Sequence, residues 1–116
     1  MLLFAIIFFN IYIFYLIKIY NVAMVNKKIL KIRKKLDLLD NKLLDLIKKR
    51  TNLVNGVLEN KKYKSEIIDK KRILVILKNI KIKSKRKKID PIITKKIWKS
   101  MINAFIDYEF RNFKKK

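Results

Sequence analysis

Apolar residues recur at intervals of three and four from Ile29 onward: Ile29, Ile32, Leu36, Leu39, Leu43, Ile47, then Val54, Val57 and Leu58. That spacing draws one stripe along an α-helix and predicts a single helix from Ile29 to Lys61. Gly56 is the one weak position inside it, costing about 1 kcal/mol against alanine. At about 1.5 Å per residue the element runs close to 50 Å, more than one small core covers. It needs a second copy of itself, or two cores.

The pattern changes on either side. Leu2 to Ile17 is apolar apart from Asn10 and ends at Lys18. The run falls short of the roughly 20 residues that span a bilayer, though extension to Ala23 reaches it. Residues 1–26 are therefore read as a separate hydrophobic segment with three readings. It is an anchor holding the basic body in the cytoplasm, an extension upstream of a true start at Met24, or a signal lacking a basic n-region. Downstream, Asn60 to Glu66 is polar and predicts a loop. Asp69 caps a second helix from Lys70 to about Ile82, with Ile73, Leu74, Ile76, Leu77 and Ile80 inward. A strand over Ile73–Leu77 would have no second strand to pair with. Lys81–Lys88 reads as a basic connector. Asp90 then caps a third helix that Pro91 opens, where its missing N–H costs nothing. That helix runs to about Phe113, with Ile97, Trp98, Met101, Ile102, Phe105 and Phe110 inward. The expected class is all-α, with three helices.

Composition removes whole classes of chemistry. With no Cys and no His there is no disulfide, no thiolate metal site and no Ser-His or Cys-His catalysis, and no metal is expected. One Gly and one Pro argue against a turn-rich β fold. A net charge of +22 fits a non-catalytic helical module that binds nucleic acid or an anionic membrane. It equally fits a chain rich in residues with A/T-rich codons and no polyanion partner.

Candidate chemistry sits on the long helix. Arg50 and Lys61 are eleven residues apart, about three turns and roughly 16 Å, on nearly the same side. Arg33 stands seventeen residues before Arg50, roughly 25 Å away on the same rod. It cannot reach the same small ligand. A ligand role for Arg33 requires a second site, which a symmetric dimer supplies.

The run Leu30 to Arg50 closely resembles the opening helix of the all-helical, AroQ-class chorismate mutases. The family pattern Arg-x6-Asp-x9-Arg-x10-Lys, followed by Asp-x2-Arg, reads here as Arg33, Asp40, Arg50, Lys61, Asp69 and Arg72. The resemblance covers residues 27–116, so these are expected to form the mutase domain. It implies an intertwined homodimer with two sites and the isomerisation of chorismate to prephenate without a cofactor, in phenylalanine and tyrosine synthesis. By the same resemblance Arg50 and the partner subunit's Arg33 hold the substrate carboxylates, and Lys61 donates to the ether oxygen. Asp69 and Arg72 shape the ring side, and Glu109 stands where the family commonly has Gln. Asp40 is expected to be structural. A cytoplasmic enzyme is expected, either stand-alone or the remnant of a longer bifunctional chain. It would have no nucleic-acid partner, and would touch a membrane only if residues 1–26 are an anchor. A relative acting on isochorismate fits the same residues.

Three departures are visible. Ile73 replaces the Glu that binds the substrate hydroxyl, Phe105 falls at a Ser position, and the loop before Asp69 is one residue short. The loss of that Glu weakens the case for full activity, and absence of turnover from a folded dimer would point to Ile73 and Phe105 as lesions. Glu109 has a readable consequence, since a carboxylate donates a hydrogen bond only when protonated whereas an amide always can. Activity is then expected to rise below neutral pH.

Overall fold

A computed structural model describes residues 1–115; Lys116, the last residue of the expected 27–116 domain, lies outside them. In order come helix α1 (Leu2–Glu59), a short 3₁₀ turn (Lys64–Glu66), α2 (Lys70–Arg86) and α3 (Pro91–Asn112). No strand occurs among the described residues. The fold is all-α with three helices, as the periodicity predicts. The chain divides into two compact units, Met1–Leu46 and the remainder from Ile47.

In the first unit α1 begins at Leu2 rather than at Ile29. No Gly or Pro lies between them to stop it, and Asn10, Asn21 and Asn26 are absorbed into the helix. Every residue of this unit is exposed. Its beginning is long and apolar enough to cross a membrane by length and composition.

In the second unit the end of α1 also differs from expectation. The helix closes at Glu59, because Asn60 and Lys61 donate backbone bonds only three residues back, to Val57 and Leu58 (both 3.1 Å). The Asn60 side chain also donates to the Gly56 carbonyl at 2.8 Å, filling an acceptor the helix leaves open. Lys61 therefore stands just past the helix, not on its stripe. The expected loop carries its own 3₁₀ turn.

α2 and α3 are joined by Lys87–Asp90 and pack on each other. Asp69 caps α2 as expected, accepting from the Arg72 N–H at 2.9 Å. Asp90 caps α3, accepting from Ile92 at 2.9 Å, with Pro91 in the first turn. The stretch expected as a connector from Lys81 is helical as far as Arg86. Two features hold it. Ser84 is buried, donates to the Ile80 carbonyl at 2.6 Å and lies 2.8 Å from Thr94 Oγ1 of α3. Beyond it the Ile89 N–H bonds Ser84 (2.9 Å) and the Lys88 N–H bonds Lys85 (3.2 Å), the paired closure of a helix end. That closure places Lys88 at φ 57, a conformation glycine normally supplies.

The buried apolar residues are Leu58, Ile67 and Ile102. Leu74, Ile97 and Phe110, expected inward, are exposed at 68%, 52% and 38%. The stripe of α1 is open too, including Leu36, Leu39, Leu43 and Ile47. A helical period marks which face is apolar. It does not say whether the same chain supplies the cover.

Candidate active site

Five of the six expected site residues meet in one open cleft of about 190 Å³. Arg50 comes from α1, Lys61 from the residues just after it, Asp69 and Arg72 from the start of α2, and Glu109 from α3. Val54, Val57, Ile67, Ile76, Ile102 and Ile106 give it an apolar floor. Ile73 and Phe105, the two departures from the family pattern, line it as well. Arg33 and Asp40 lie exposed on α1 within Met1–Leu46 and do not line this cleft.

The spacing of the site follows from local structure. Arg50 and Val54 are one turn apart on α1, so a cation and an apolar wall share a face. Asp69 and Arg72 flank the first turn of α2, where the cap bond fixes the backbone between them. Glu109 follows Phe105 by one turn on α3, which stacks an aromatic ring and a carboxylate on the same side.

Three carboxylates and three cations line the cleft. Glu109 is buried, 7% exposed, and binds Lys61 through a 3.0 Å ion pair from Nζ to Oε1. The Asp69 carboxylate is engaged by the N–H of Arg72. Glu66, a residue that spacing did not single out, accepts from the backbone N–H groups of Lys62 (2.6 Å) and Tyr63 (2.8 Å) through one oxygen. Each carboxylate thus already has a partner. The guanidinium groups of Arg50 and Arg72 have no protein acceptor among the described residues. A ligand with two carboxylates would find two unclaimed cations there.

Arg50 is nevertheless held. Its Cζ lies 4.4 Å over the centroid of the Phe105 ring. Phe105 meets Tyr108 edge-on, 6.4 Å between centroids at 74°. The Tyr108 hydroxyl donates to Asn55 Oδ1 of α1 at 2.9 Å, closing a circuit between α1 and α3.

Glu66 controls the turn that carries Lys61. The hydrogen bond from Tyr63 holds its carboxyl below the usual carboxylate range, with smaller help from the Lys62 N–H and the Lys61 and Lys62 charges; desolvation works the other way. A carboxylate depressed in the folded state contributes stability above its unfolded value and loses it as pH falls through the folded one. The Lys62 and Tyr63 amides should therefore keep constant protection against hydrogen exchange from pH 7 down to 5. They should lose it only below the ordinary carboxylate range. Glu66→Gln should lower their protection several-fold at pH 7 and remove the acid step. Equal protection in variant and wild type would separate Glu66 from the loop.

A family model for chorismate mutase type II matches residues 32–110. No curated protein and no solved structure matches the chain.

Proposed function

The chain belongs to the chorismate mutase type II family, and on that premise we propose that it converts chorismate to prephenate. The reaction is an intramolecular rearrangement. The ether C–O bond breaks as a C–C bond forms, and no proton or group leaves or enters. A protein can accelerate it by holding the compact conformer and by stabilising negative charge on the ether oxygen. The observation that carries the reading is the cleft itself, with two uncommitted guanidiniums beside a lysine and an apolar floor. In this reading Arg50 grips one carboxylate with bidentate geometry. Lys61 turns part of its donor capacity to the ether oxygen, and Arg72 with Asp69 faces the ring side.

The cleft lies open, and the α1 stripe is exposed in a single chain. Both are served by a homodimer in which α1 pairs with its copy and the partner subunit's Arg33 takes the second carboxylate. An apolar surface this extensive on a small domain favours such a partner. The test is direct: chorismate consumption followed by ultraviolet absorbance, with prephenate identified as product. Absence of turnover from folded dimer at both pH 5 and pH 7.5 would defeat the reading. The alternative, a non-catalytic module binding polyanions, rests on the +22 charge alone. It demands binding to nucleic acid or anionic lipid that weakens steeply with salt.

Glu109 offers the cleft an acceptor but no donor. In the free protein it accepts from Lys61, and a carboxylate has nothing to donate to an ether oxygen, whereas an amide does. Glu109→Gln, which keeps an acceptor for Lys61 and adds a permanent donor, should raise kcat/KM for chorismate several-fold at pH 8. An unchanged or lower rate in that variant removes this role.

A further inference from the structure

We propose that Phe105 is a positioning residue that presets the guanidinium plane of Arg50 for its anionic ligand. The inference rests on the mutase reading for the identity of that ligand, but not for the stacking itself. From sequence, an aromatic ring where the family has a small hydroxyl residue looks like damage to the site. The geometry assigns it work. Arg50 has no protein hydrogen-bond acceptor among the described residues, so nothing polar fixes its orientation. The Phe105 ring does so instead, with the guanidinium carbon 4.4 Å above its centroid. Stacking uses the flat face of the cation and leaves the N–H edges free, and those edges are what a carboxylate reads in bidentate fashion.

The ring is itself braced. Tyr108 meets its edge at 74°, and the Tyr108 hydroxyl is tied to Asn55 on α1, the helix that carries Arg50. A long side chain without such support loses rotamer freedom on binding, and the ring removes part of that cost in advance. A Ser in this place would donate one hydrogen bond but could not stack. The chain has exchanged a polar contact in the cleft for a prearranged cation.

The experiment compares Phe105→Leu, which keeps an apolar side chain of similar size without a π face, with Phe105→Trp, which keeps the face. Each is measured for chorismate kinetics and, by titration calorimetry, for prephenate binding. Phe105→Leu should raise KM and the prephenate Kd about fivefold with kcat within twofold, a change of the size expected for one cation–π contact. Phe105→Trp should stay near wild type. In an Arg50→Lys background, where the planar cation is gone, Phe105→Leu should add less than twofold, since coupled residues are not additive. A residue that merely fills space would lower thermal stability in both backgrounds without this KM signature.

Unchanged prephenate binding in Phe105→Leu overturns the proposal, as does an equal loss in both backgrounds. A chain that binds prephenate but converts no chorismate sinks the mutase reading, while the same binding comparison still decides Phe105. A chain that binds no prephenate overturns both.

Discussion

Arg50→Ala is expected to lower kcat/KM for chorismate by about 10²–10³-fold, the range seen when one preorganised donor to developing or resident negative charge is removed. The magnitude follows from what the cleft contains. Its three carboxylates are each engaged within the protein, by Lys61, by the Arg72 N–H and by the N–H groups of Lys62 and Tyr63. Of the residues that line the cleft, Arg50 and Arg72 present guanidiniums without a protein acceptor among the described residues. Deleting Arg50 halves the unclaimed positive charge facing a dianion. Helix content should not fall, because alanine is the best helix former and Arg50 lies within α1. Arg50→Lys should also be damaging, by about tenfold or more, since an ammonium cannot make the paired contact or keep the same stack on Phe105. Steady-state kinetics with circular dichroism on the same samples decides it. An Arg50→Ala protein that keeps over a tenth of wild-type kcat/KM would place the chemistry elsewhere.

The grouping of Arg50, Lys61, Asp69 and Arg72 is legible in the sequence through the family pattern rather than through helix geometry, because Lys61 lies past the end of α1 and Arg72 on a second helix. The structure places all four along one cleft. The caps at Asp69 and Asp90 were legible for a different reason. Each is a short polar side chain just before an apolar-periodic run, and its partner is a backbone N–H two or three residues on. What escaped was information that sequence stores non-locally or not at all. The end of α2 carries no glycine, because Lys88 adopts the left-handed conformation itself, so nothing in the sequence marks Lys81–Arg86 as helix rather than connector. Glu66 acts on backbone amides that any residue provides, leaving only the interval to Tyr63 as a trace. Phe105 stands in the sequence only as a departure from the family's Ser, because its partner, Arg50, is distant in the chain and meets it only in the fold. For Ile97 and Phe110 the helical period marks an apolar face and is silent about what covers it.

That missing cover leads to the second large effect, which involves two chains at once. If each site takes Arg50 from one subunit and the partner subunit's Arg33, then Arg33→Ala and Arg50→Ala homodimers should both be nearly inactive. Mixing the two inactive proteins, with subunit exchange, should restore activity. In a mixed dimer the Arg33→Ala chain keeps its own Arg50 and receives an intact Arg33 from its partner, so one site is whole. The other site lacks both arginines. Random exchange makes half the dimers mixed, each with one of two sites restored, so the recovered activity approaches about a quarter of wild type for two-fold symmetry. The structure motivates the test directly. Arg33 is exposed on α1 and does not line the cleft of its own chain, whereas Arg50 does. Two variants disabled within the same subunit's site could not rescue each other in any proportion. Recovery near a quarter, measured by chorismate consumption after brief mild denaturation and refolding of the mixture, requires a site shared across the interface. Activity of the mixture equal to the mean of its two components would leave Arg33 outside the site and the dimer without a catalytic reason.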